Sequence, residues 1–127
     1  MSMILVVDDD PDVVAACRLI LEREGYTVEC AANADDGFRA VEALSPDLLV
    51  LDVMMEEPDD GLRLARQLRR GGYDLPILML TSVNRAMNVS IGKDEEIVPV
   101  DEFLEKPADP ETLVRIVGML LNESGGE

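Results

Sequence analysis

The sequence contains no histidine, only two cysteines and two lysines, and no long apolar run. Each shortage removes a class of activity. Without an imidazole there is no histidine general base, no Ser-His-Asp or Cys-His nucleophile system and no His-containing zinc site. Any chemistry is left to carboxylates, hydroxyls and lysine. Cys17 and Cys30 form no CxxC pair and fall within apolar segments, which reads as two reduced buried thiols rather than a disulfide or metal pair. The longest apolar run, Ile116–Leu121, is six residues with its glycine, far below the ~18–20 that cross a bilayer. Nothing basic precedes Ile4–Val7, so the start does not read as a secretory signal. A cytoplasmic protein without membrane contact is the expectation.

What is present fits one folded domain. The chain has 127 residues, 47% hydrophobic and 30% charged, enough for a core and unlike a disordered acidic tail. The division expected is a domain over residues 1–122 and a flexible tail over 123–127. Against 27 Asp and Glu stand 11 Lys and Arg, a formal charge of −16. Such a charge opposes a phosphate backbone and an anionic leaflet alike, so direct nucleic-acid binding is not expected.

Short apolar runs alternate with amphipathic stretches five times, which predicts an α/β fold with a doubly wound, five-stranded parallel sheet. The strands fall at Met3–Val7, Thr27–Ala31, Leu48–Leu51, Ile77–Leu80 and Glu102–Leu104. The first, third and fourth are continuous apolar runs, as strands buried on both faces are, and should be central. Asp10-Pro11 is a cap followed by proline at the first helical position, and Val13, Cys17, Ile20 and Leu21 follow at helical spacing until Gly25. Ala34, Phe38 and Val41 mark a second helix, closed by Ser45-Pro46. Leu64, Ala65 and Leu68 mark a third, stopping at Gly71-Gly72. Asp109-Pro110 opens the last, with Leu113, Ile116, Val117, Leu120 and Leu121 on one stripe. Residues 84–100 alternate apolar and polar and then turn to bare charge, which reads as an irregular fourth helix region.

In a doubly wound sheet, ligands bind beyond the carboxyl ends of the strands. Those ends carry Asp8-Asp9-Asp10, Asp52, Thr81-Ser82 and Glu105-Lys106-Pro107. Each has an ordinary explanation alone: Asp8–Asp12 as a capping turn, Asp52 as a turn residue, Thr81 as a strand terminus, Lys106 as a solvated cation. Their coincidence at equivalent strand ends, in a chain with two lysines, points instead to one site. Crowded carboxylates repel one another unless a cation compensates. Hard oxygen donors select Mg²⁺, Mn²⁺ or Ca²⁺. An aspartate beside such an ion is a competent nucleophile toward phosphorus, and phosphoryl transfer then needs mainly positioning and charge neutralisation.

The whole chain resembles the response-regulator receiver domains of two-component signalling, the chemotaxis-regulator type. The resemblance runs from Ile4–Pro11 through Asp47–Met55 and Leu80–Ser82 to Asp101–Pro107. It implies a flavodoxin-like strand order 2-1-3-4-5. It implies Asp52 as the phosphoacceptor, and Mg²⁺, with Mn²⁺ as the alternative ion, held by Asp8, Asp9, Asp52 and the Met54 carbonyl. Thr81 resembles the switch hydroxyl, Lys106 the cation that pairs with the phosphoryl group, and Phe103 the switch aromatic without a tyrosine hydroxyl. A cis bond at Lys106-Pro107 is also implied. The pattern departs from the family at Glu56-Glu57-Pro58, a longer and more acidic loop, and at residues 84–100.

The function implied is a phospho-accepting switch that takes its phosphoryl group from a histidine kinase or phosphotransfer protein and controls a downstream protein target. It is a signalling receiver rather than an enzyme with a separate substrate. The absent histidine agrees, since the donor imidazole belongs to the partner. Met54 and Val83 stand where side chains that position attacking water occur in relatives, so slow self-dephosphorylation is expected. Two alternatives compete with it: a Mg-dependent phosphatase acting through an aspartyl phosphate, for which Met54 stands where the acid is needed, and a phosphorylation-independent interaction module. No stretch after Leu121 in this sequence is long enough for an output domain, so a stand-alone receiver is the expectation.

Overall fold

The computed structural model describes residues 2–52, 60–81, 101–105 and 109–124. Five strands, β1 (Met3–Val7), β2 (Thr27–Ala31), β3 (Leu48–Asp52), β4 (Ile77–Thr81) and β5 (Glu102–Glu105), alternate with four helices, α1 (Pro11–Arg23), α2 (Ala34–Leu44), α3 (Asp60–Arg70) and α4 (Pro110–Ser124). All strand pairings are parallel and the order is β2-β1-β3-β4-β5, so the three apolar runs are central as expected. Strand 2-1-3-4-5 order with helices on both faces is the flavodoxin-like doubly wound arrangement. The expected fourth helix region lies outside the described residues.

The sheet separates two cores. Leu5, Val7, Leu49, Leu51, Ile77 and Met79 face α2 and α3, meeting Val41, Leu64, Ala65 and Leu68. Ile4, Val6, Leu48, Val50, Leu78 and Leu80 face α1 and α4, meeting Cys17, Leu21, Leu113, Ile116 and Val117. Alternation along each strand assigns the side chains to these layers. Each fully buried aliphatic side chain contributes about 1.5–3 kcal/mol relative to exposure. That covers every residue of β3 but Asp52 and every residue of β4 but Thr81. The outer strands differ in composition: β2 carries Glu29 and β5 carries Glu102 and Glu105, while the inner strands carry no glutamate.

Helix ends follow the local chemistry. Asp10 accepts the Asp12 amide at 2.9 Å, and Pro11 opens α1. Asn33 accepts the Asp36 amide at 2.8 Å at the start of α2, and Asp109 accepts the Thr112 amide at 3.1 Å at the start of α4. Past α1, Gly25 takes φ +95°, and past α3, Gly72 takes φ +91°. An L side chain is strained there. Helix α2 instead ends on Ser45 at φ 50°, directly before Pro46.

Strands β3, β4 and β5 each run one residue past the expected end, through Asp52, Thr81 and Glu105. Backbone pairing does not stop at the first polar side chain: Asp52 is level with Leu80, and Thr81 with Glu105. Helix α4 continues to Ser124, into the stretch expected as tail.

Candidate functional site

The site stands where β1 and β3 end side by side. Val7 is level with Leu51, so the next step along each strand brings Asp8 alongside Asp52, with both on the α1/α4 side of the sheet by alternation. Asp8 is 2% exposed and Asp52 4%. Asp9 follows at the entrance to α1 and is exposed. The three residues each present a carboxylate oxygen within 4.8 Å of the other two.

The turn that carries them is built from its own side chains. The Asp8 carboxylate accepts the Asp10 amide at 2.9 Å, and Asp10 in turn caps α1. The Asp8 amide donates to the Ala31 carbonyl at 3.1 Å, tying the turn to β2. The N-terminus of α1, carrying the positive end of its backbone dipole, therefore starts within two residues of the acidic group.

The other expected residues divide into those described and those not. Thr81, 2% exposed, ends β4 one residue beyond the level of Asp52. It shares its alternation with Ile77 and Met79, on the α2/α3 side. Phe103 sits on the neighbouring β5, level with Met79, half-buried against that same core. Met54, Val83, Lys106 and Pro107, and with them the Glu56–Pro58 loop, lie outside the described residues.

Beside the carboxylates a groove of about 480 Å³ runs along α1 and the end of β2, lined by Asp8, Asp9, Pro11, Val14, Arg18 and Cys30 among others. This corrects one expectation: Cys17 is buried, but Cys30 is only partly so. It stands at the outer strand's end, where α1 leaves the groove open. Arg18 Nη1 donates to Cys30 Sγ at 3.9 Å and Arg18 Nε to Glu22 at 3.1 Å. Burial still pushes the Cys30 thiol above its ordinary value.

One arrangement has no sequence signature. Arg69 on α3 donates to the carbonyls of Tyr73 (2.9 Å) and Leu75 (2.8 Å) and to the Asp101 carboxylate (3.2 Å). Its ion-pair partner lies 32 positions away.

Three carboxylates this close, two of them buried, suit a hard divalent cation and suit neither a soft metal nor an anion. The donor set fits Mg²⁺, which takes one or two protein carboxylates and keeps open positions for water and phosphate oxygens. No helix of the described residues is long and apolar enough to cross a membrane.

Comparison with known proteins agrees with this geometry. Response regulator MprA of Mycobacterium ulcerans is 41% identical over 121 residues, 95% of this chain and 50% of that protein. The alkaline phosphatase synthesis transcriptional regulatory protein PhoP of Bacillus subtilis is 35% identical over 121 residues, 95% of this chain and 49% of that protein. The chain thus spans about half the length of these regulators. Among solved structures, a putative response regulator from Chloroflexus aurantiacus superposes with a TM-score of 0.82 at 29% identity, covering 95% of this chain and 98% of the other. The receiver domain of the Francisella response regulator 1452 shares the fold with a TM-score of 0.83 at 23% identity, covering 98% and 99%. Residues 4–118 match the response regulator receiver domain, and the chain belongs to that family, the Asp-phosphorylated receivers of two-component signalling.

Proposed function

We propose that Asp52 is the phosphoacceptor of this receiver and that Asp8, Asp9 and Asp52, with the Met54 carbonyl, hold Mg²⁺. The observation that carries the reading is the meeting of the three carboxylates at the ends of β1 and β3. Bound there, the ion supplies charge neutralisation for the carboxylates and for phosphoryl oxygens. Mn²⁺ has the same preference for oxygen ligands.

The chain's own residues do the rest. An Asp52 carboxylate oxygen attacks phosphorus, the bond from phosphorus to the donor nitrogen or oxygen breaks, and the donor leaves with the electron pair and takes up a proton. The product is a mixed anhydride, an aspartyl phosphate, which water later cleaves back to the carboxylate and phosphate. Burial of Asp52 limits water, and Asp8 is oriented by the Asp10 amide. Thr81 offers a hydroxyl to the phosphoryl group from the adjacent strand, Lys106 offers a cation, and Phe103 repacks in answer. Phosphorylation acts by favouring one of two conformations. A histidine kinase or phosphotransfer protein is the donor and a protein target the recipient of the signal; the chain assists its own phosphorylation and dephosphorylation and has no separate substrate. The receiver takes in residues 1–122 together with the last residues of α4, through Ser124, and acts in the cytoplasm.

Intact mass after incubation with acetyl phosphate tests this. A Mg²⁺-dependent gain of one phosphoryl group, absent from Asp52→Ala, is expected. No adduct in the wild type, together with no Mg²⁺ binding by titration, would transfer the weight to a phosphorylation-independent module.

A further inference from the structure

The edge strand β5 is four residues long, pairs among the described residues with β4 alone and has no fully buried residue, so its packing holds it less firmly than any inner strand. It is fastened at the end away from the site. The Asp101 amide donates to the Ile77 carbonyl at 2.9 Å, and the Asp101 carboxylate accepts the Ile77 amide at 2.8 Å. The same carboxylate oxygen accepts Arg69 Nη2 at 3.2 Å. One guanidinium therefore gathers the end of α3, the approach to β4 and the start of β5. Arg69 has 26% of its side chain exposed and Asp101 43%, so the attraction of the pair is modest and its role is geometric, one carboxylate oxygen joining the guanidinium to the Ile77 amide.

Alternation places Asp101, Phe103 and Glu105 on one face of β5, the α2/α3 face to which Arg69 belongs. In the ladder Phe103 is level with Met79 and Glu105 with Thr81. A one-residue slip of β5 would turn Phe103 to the opposite core and remove it from the side of Thr81. At the start of β5 the bonds of Asp101 combine backbone and side-chain pairing, as those between Asp47 and Met3 do before β3, and Asp101 adds the guanidinium.

We propose that Arg69 and Asp101 are positioning residues of the switch, fixing the register of β5 so that Phe103 stands beside the strand that carries Thr81. This rests on the reading of Asp52, Thr81 and Phe103 given above. The chain has two phenylalanines, Phe38 and Phe103, so uniform fluorophenylalanine labelling gives two ¹⁹F resonances, assigned with Phe103→Leu. Asp101→Ala and Arg69→Met are expected to shift or broaden the Phe103 resonance and to change the initial rate of Mg²⁺-dependent acetyl phosphate labelling by about threefold or more. Asp101→Asn and Arg69→Lys, which keep an acceptor and a cation, should recover part of both and remain folded if the harsher variants do not. A lowered melting temperature with Phe103 resonance and labelling rate at wild-type values would overturn the proposal. If the wild type takes no phosphoryl group, the switch reading fails by itself, while an unmoved Phe103 resonance in folded Asp101→Ala or folded Arg69→Met overturns the positioning separately.

Discussion

Replacing Asp52 by asparagine keeps the side chain's shape and removes one of three crowded negative charges. At the 4.8 Å limit of their separation and an effective dielectric of about 20, one carboxylate pair repels by about 3.5 kcal/mol. Asp8 and Asp52, both buried, are the pair least screened by water. Backbone donors such as the Asp10 amide on Asp8 and the N-terminus of α1 offset a share. The net expectation is that Asp52→Asn stabilises the metal-free protein by about 1–2 kcal/mol, or roughly 4–8 °C in melting temperature for a domain of this size. Saturating Mg²⁺ should narrow or reverse that difference. At 100 times its dissociation constant a ligand of the native state adds about 2.7 kcal/mol, and the wild type offers the fuller ligand set. Thermal melts in EDTA and in MgCl₂ measure both halves. A lower melting temperature for Asp52→Asn in EDTA would refute the electrostatic reasoning, and an equal Mg²⁺ shift in both proteins would refute Asp52 as a ligand.

Three further outcomes are expected. A Cβ added at Gly37 would stand 3.0 Å from Val7 Cγ2 and 3.2 Å from Leu64 Cδ2, so Gly37→Ala should destabilise by about 1–3 kcal/mol in urea titrations, more than offsetting its gain in helix propensity. Iodoacetamide should alkylate the native protein once, at Cys30, with a rate that climbs only above the ordinary thiol pKa because burial holds Cys30 protonated; a first adduct at Cys17 by peptide mapping would contradict this. The phosphorylated protein should lose its phosphoryl group slowly, since Met54 and Val83 cannot orient water, and rapid phosphate release after removal of acetyl phosphate would contradict that.

The inner strands were legible because a strand covered on both faces is apolar throughout, and MILVV, LLVLD and ILMLT read so. The caps at Asp10 and Asp109 were legible because the interaction is local, a carboxylate meeting amides two or three residues on. The acidic group was legible for a related reason: parallel strands end at one edge, so the residue after each run shares a place with its counterparts. The ends of β1 and β2 fall where the sequence places them, while β3, β4 and β5 each run one residue further, since polarity marks where burial changes and not where backbone pairing stops. Cys30 was misjudged because its partial exposure depends on how α1 lies over β2. Arg69 and Asp101 look like surface charges in sequence, and only the folded chain brings them within 3.2 Å.

The composition of the two outer strands bears on what this sheet does with its open sides. An unpaired strand edge is a template for any other extended chain, and a long apolar edge invites polymerisation. Here the strands with sticky sequences are interior, and each lateral boundary carries glutamate: Glu29 on one side, Glu102 and Glu105 on the other. A strand added from a second molecule would bring carboxylates face to face, in a chain whose formal charge is already −16. The arrangement lets an apolar sheet core coexist with high concentration of the free protein, because growth of the sheet beyond five strands is opposed at both borders.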